Sequence, residues 1–158
     1  AFNVIYWPMQ AFARGLLPEV PADPRGVVDL VPVDYVVDLL HRATFTEGLG
    51  GTFNAVAGDR ALSVREVIDH GCRLLDRAPP QLTPPGSFDP EHPAAMFAPY
   101  FDVATRFDDR RTELGLGGQA PSAMDYLPRL LDYAQLARWG KRPLTRESAR
   151  SAERASAA

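Results

Sequence analysis

The chain has 158 residues, 46% of them hydrophobic and 23% charged, with a formal net charge of -3; that is enough apolar material for one globular domain with a core, and it excludes a disordered chain. The slight acidic balance and the scattered basic residues give no electrostatic footprint for nucleic acid or an anionic membrane surface. A single cysteine, Cys72, excludes an internal disulfide framework, and no apolar run approaches the ~18 residues of a membrane span, so the expectation is a cytoplasmic protein.

The chain opens directly on Phe2, Val4, Ile5, Tyr6 and Trp7, with no signal-peptide pattern, and reads as cut or processed. Pro8 is placed to begin a helix and Gly15 to end it, which predicts a short helix over Pro8 to Arg14. Leu16 to Pro21 reads as extended and Ala22 to Gly26 as a turn. Val27 to Val33 is β-branched, interrupted only by Asp29, and is expected to be a strand buried on both faces. Asp34 stands where its carboxylate would cap the next helix, whose inner stripe is Val36, Leu39, Leu40 and Ala43.

The glycines from Gly48 to Gly51 stop that helix, and Thr52 to Ala57 reads as a second strand. Ser63-Val64-Arg65-Glu66 is a capping box that opens a second long helix with the stripe Val64, Val67, Ile68, Gly71, Cys72 and Leu75. Strand, helix, strand, helix in this order predicts a parallel sheet. The proline-rich stretch from Ala78 to Pro99 has no sustained period and is read as a long surface excursion. Asp108 or Asp109 starts a short helix that Gly115 ends. Asp125 is expected to cap the last helix, because Pro128 is tolerated only in a first turn. Its stripe is Leu127, Leu130, Leu131 and Ala134, and residues 143–158 read as a disordered tail.

Chemistry-bearing motifs are sparse. The glycine clusters at Gly48 to Gly51 and Gly115 to Gly118 each follow a helix, so they read as helix terminators rather than phosphate cradles. His41, His70 and His92 lack metal-ligand spacing, and Cys72 on an inner stripe reads as an inert buried thiol. No Gly-x-Ser-x-Gly elbow is present. No metal site and no catalytic residue are expected.

The string Asp29-Leu30-Val31-Pro32-Val33-Asp34-Tyr35-Val36, followed by Thr52-Phe53-Asn54 and then Leu62-Ser63-Val64-Arg65-Glu66, resembles the back half of an extended short-chain dehydrogenase/reductase. The look is that of the male-sterility, fatty acyl-CoA reductase and thioester reductase branch, and Phe107-Asp108 and Asp125-Tyr126-Leu127 through Tyr133-Ala134 extend it. The resemblance implies an α/β fold over residues 1–142, the C-terminal part of a Rossmann-like doubly wound parallel sheet with a small, mostly helical substrate-binding region. It implies an NAD(P)-dependent oxidoreductase acting on a thioester, aldehyde or related carbonyl, with NADP or NAD as cofactor of the complete enzyme. The family's Tyr-x-x-x-Lys pair is missing, since the only lysine, Lys141, has Ala137 four residues before it. Its glycine-rich cofactor turn is missing too. The chain alone is therefore expected to bind no nicotinamide cofactor and to be inactive, its partners being a small-molecule substrate and the N-terminal half of the same fold.

Epimerases and dehydratases of nucleotide sugars in the wider superfamily carry an arginine where this chain has Val28, although Arg25 lies close by. A nucleotide-sugar enzyme and a non-catalytic binding module that kept the fold remain open alternatives. Asn3, Tyr6, Trp7 and Gln10 are expected to line the substrate cleft, with packing of the small domain as the competing role for Tyr6 and Trp7.

Overall fold

A computed structural model of the chain describes residues 5–87, 89, 91, 95, 99, 100, 102–142, 144, 145 and 147. The expected tail at 143–158 falls almost wholly outside these residues. Among them no helix is long and apolar enough to cross a membrane.

The fold is mixed α/β, built from five α-helices and two small sheets among the described residues. Helix α1 (Tyr6–Ala13) keeps Pro8 within its first turn and is followed by Gly15 at φ +70°, a left-handed conformation that glycine adopts without a Cβ penalty. Strand β1 (Glu19–Pro21) follows, and the turn after it is closed by the Gly26 amide donating to the Asp23 carbonyl. Strand β2 is only Val27–Val28. Its continuation leaves the ladder because Pro32 has no amide to donate and the Asp29 carboxylate accepts the Ala57 amide at 2.8 Å.

Helix α2 (Val33–Phe45) therefore starts two residues earlier than a cap at Asp34 would dictate, with Pro32 in the N-cap position. Asp34 is not the cap. It sits in the first turn, where its Oδ1 accepts the Tyr35 amide at 3.0 Å and its charge favours the positive end of the helix. Leu39 is buried, but Leu40 is 63% exposed and so falls off the inner stripe. Asp38 instead pairs with Arg42 at 2.7 Å along the outer face.

Thr52 to Ala57 is not a strand. Side chains satisfy its backbone: Thr112 Oγ1 donates to the Asn54 carbonyl at 2.8 Å, and the Ala57 amide goes to Asp29. The ladder partner of β2 is β3 (Leu62–Ser63), and the pair is antiparallel, with Val27 opposite Ser63. The parallel pair is elsewhere. Strand β4 (Gln81–Thr83) emerges from the stretch read as a surface excursion and lies parallel to β1, Val20 opposite Leu82.

Helix α3 (Val64–Leu75) starts where the capping box placed it. The Glu66 amide donates to Ser63 Oγ at 3.2 Å, and Glu66 Oε2 accepts the Ser63 amide at 2.7 Å. Replacing Ser63 with alanine is expected to cost about 1 kcal/mol, measured as a fall in the urea midpoint. The same contacts hold the Glu66 carboxyl below its ordinary value, first through the Ser63 amide and then through its hydroxyl. A lowered folded-state pKa stabilises above the unfolded value and is lost as pH falls through the folded one. The acid limb of the stability curve is therefore expected to flatten in Ser63→Ala.

Helix α4 (Arg110–Leu116) runs past Gly115 and is ended by Gly117 at φ +63°. Arg42 ties α2 to this terminus by donating to the Gly117 carbonyl at 2.8 Å. The last helix, α5 (Ala123–Leu136), is capped by Ser122, whose Oγ accepts the Met124 amide, and not by Asp125. Pro128 consequently lies inside the helix, at the cost of one backbone bond. Leu127, Leu131 and Ala134 are buried, as the stripe requires.

Among the described residues two clusters make up part of the core, to which α5 adds Leu127, Leu131 and Ala134. Val20, Ala22 and Val64 gather Leu17, Val28, Ile68 and Leu82, while Val27, Ala57, Ala61 and Ala120 gather Val31 and Tyr35.

Candidate functional site

The apolar faces of α1 and α3 meet across a groove. Ile5, Pro8, Met9 and Phe12 follow the spacing i, i+3, i+4, i+7 and form one wall. Val64, Val67, Ile68, Gly71 and Leu75 form the other with the same period. Val20 and Val28 from the two sheets, with Leu17, Pro80 and Leu127, complete the lining. The volume is about 110 Å³, half-enclosed, and among the described residues no ionisable side chain lines it. Such a site takes a hydrocarbon by exclusion of water.

Gly71 is the notch in the α3 wall. A Cβ there would meet no atom of the described residues within 4 Å, so among them the space belongs to the groove and not to a neighbouring side chain.

Of the residues expected to line a substrate cleft, Asn3 lies outside the described residues. Tyr6, Trp7 and Gln10 are half-buried on α1, but the groove wall of that helix is made by Ile5, Pro8, Met9 and Phe12. Burial raises the Tyr6 phenol above its ordinary value, with the nearby Tyr133 of α5 adding to it. The signal that marks the groove wall in the sequence is helical spacing of purely apolar residues.

A second, wider concavity lies between the Gly48 to Phe53 segment and α4, where Arg110 and Arg111 reach its surface. Both cations are already partnered. Arg111 donates to the Gly50 carbonyl at 2.6 Å and lies 5.3 Å from the Phe53 ring centre. Arg110 forks onto Asp108, whose carboxyl it pulls down to about 2. Arg25, the residue on which a nucleotide-sugar reading would rest, has a 90% exposed side chain and leans on Asp23 at 3.5 Å.

Beneath α2 three oxygens are buried without a hydrogen-bond partner among the described residues: Asp29 Oδ2, Tyr35 Oη and Tyr126 Oη. Burial pushes the Tyr126 phenol up to about 12 from its ordinary 10.0, and the negative charges of Asp29 and Asp34 push the same way. A raised folded-state pKa stabilises below the unfolded value and is lost as pH rises through the folded one. The urea midpoint is therefore expected to fall between pH 10 and pH 12. In Tyr126→Phe that alkaline limb should be shallower; an unchanged limb would show that Tyr126 does not carry it.

The other candidates are plain. Cys72 is buried in α3, and burial raises its thiol, with Asp69 adding to the effect. His41 packs at a tilt against Phe45 with ring centres 4.8 Å apart, His70 faces Arg73 at 3.5 Å, and His92 lies outside the described residues. Among the described residues no group of three or more His, Cys, Asp or Glu side chains lies together in a way that could hold a metal ion.

A dinucleotide pyrophosphate needs a helix N-terminus with free amides after a strand. Of the helices that closely follow a strand, α2 has Asp34 in its first turn, and at α3 the Val64 and Arg65 amides donate to the Gly26 and Pro24 carbonyls while the Glu66 amide donates to Ser63 Oγ. Both ends carry a carboxylate that would repel phosphate. Neither of these two helix starts offers the free amides that a dinucleotide pyrophosphate takes.

No family model, curated protein or solved structure matches this chain.

Proposed function

We propose that this chain forms the substrate side of an NAD(P)-dependent oxidoreductase of the extended short-chain dehydrogenase/reductase type. The groove between α1 and α3 holds the hydrocarbon part of a thioester, aldehyde or related carbonyl substrate. One observation carries this reading: the groove is half-enclosed and, among the described residues, lined without an ionisable side chain, which suits a chain that must be shielded from water rather than a charged sugar. The motif string from Asp29 to Val36 and the capped helix at Ser63 support the family. In this reading the two-stranded sheets, whose outer edges are open among the described residues, join further strands of a doubly wound sheet. The cofactor is held by residues other than those described.

The test is enzymatic. Any sequence encoded in frame ahead of residue 1 is joined to this chain, and NADPH consumption is followed with acyl-CoA thioesters and fatty aldehydes. Turnover is expected from the joined protein, and no saturable NADPH binding from this chain alone. Absence of turnover from a joined protein that binds NADPH would sink the proposal.

A second reading is a non-catalytic binding module. The observation that favours it is that, among the described residues, no acid, base or nucleophile lines the groove. Apolar ligand binding with no NADPH-dependent reaction in the joined protein would select it.

A further inference from the structure

We propose that Gly71 sets the length of hydrocarbon the groove admits, and that the ligand it selects is a short unbranched alkyl or acyl chain. The inference rests on the reading of the groove as the substrate's apolar seat. It goes further in naming what is selected and by which residue.

Along α3 the wall residues are Val67, Ile68, Gly71 and Leu75. A branched side chain stands one turn before the glycine and another one turn after it, so the notch at Gly71 is the one place where this wall recedes. Gly71 is not required by the backbone. It is not among the glycines with positive φ, and a Cβ there would meet no atom of the described residues within 4 Å. Glycine inside a helix is less stabilising than alanine, so an empty notch at this position serves the groove and not the helix.

Size gives the ligand. A dry apolar cavity of about 150 Å³ holds benzene. At about 110 Å³ the groove takes roughly four carbons by the same measure. On the facing wall the unbranched, adaptable side chain of Met9 conforms to a thin chain, and with no ionisable group lining the groove among the described residues the polar end of the ligand stays outside.

The experiment uses the chain as it stands, with straight-chain carboxylates from butanoate to dodecanoate as probes, followed by amide NMR shifts. Shifts are expected along α1 and α3, with affinity rising about fourfold per methylene over the first few carbons and levelling by about hexanoate. Gly71→Leu should weaken binding more than tenfold while the thermal midpoint is held or raised. Gly71→Ala, a better helix former, gives an intermediate loss and serves if the leucine variant fails to fold. Shifts outside the groove, affinity that climbs steadily through dodecanoate, or undiminished binding by the glycine variants would overturn the proposal. Selective binding without NADPH turnover in the joined protein ends the reductase reading alone, whereas turnover without groove shifts ends this inference alone.

Discussion

Replacing Leu127 with alanine is expected to lower the unfolding free energy by about 3 kcal/mol, within the roughly 2–5 kcal/mol spanned by such core truncations. Leu127 is 1% exposed and packs from α5 into the space where α3 and the sheets meet, with one side on the groove. Truncation removes its buried methyl groups from contact, and the void it leaves is continuous with the groove, so collapse from that side is poor. Leu114 on α4 is 88% exposed, and its alanine variant should stay within about 0.5 kcal/mol of the parent. Urea unfolding of the two variants side by side decides the point. Equal midpoints would contradict the packing described for α5.

The second large effect is expected at Gly58, in the short 3-10 turn Gly58–Arg60. Its φ is +56°, and a Cβ there would run into the carboxylate of Asp109, itself only 8% exposed. Alanine must take up a left-handed conformation at roughly 1–2 kcal/mol and also displace a buried polar group, for a total of about 3 kcal/mol. Gly48 separates the two causes. Its φ is +72°, yet a Cβ there meets nothing within 4 Å, so Gly48→Ala should show the conformational part alone, about 1 kcal/mol. Equal losses at the two sites, read from thermal midpoints, would remove Asp109 from the account.

What was legible in the sequence was local. The capping box from Ser63 to Glu66 closes within one turn, and its four residues contain all the groups that it bonds. The stripes of α3 and α5 repeat over several turns, so their buried members stand out. Sheet pairing was not legible, because β2 and β3 have two residues each and cannot display a period. Thr52 to Ala57 has strand composition, but its backbone bonds go to Thr112 and Asp29, far away in the chain. Two caps were misassigned for a related reason. An aspartate is a strong cap in isolation, yet Pro32 and Ser122 occupy the positions that the surrounding chain path selects. For the groove, the α3 wall is visible as a stripe, while the α1 wall depends on which face of one short helix turns inward.

The two ladders are nested along the chain: Val27 with Ser63 lies inside Glu19 with Gln81. Joining β1 to β4 directly would close one long loop, an entropic cost that grows with the logarithm of its length. Once Val27 has met Ser63, only the short arms from Pro21 to Val27 and from Ser63 to Gln81 remain to be ordered. α3 already spans most of the second. The inner pair can stand without the outer, whereas the outer pair loses its loop-shortening clamp if the inner one opens. Amide exchange should accordingly be no slower in β1 and β4 than in β2 and β3, and the parallel ladder becomes the last part of the sheet structure to form and the first to be released.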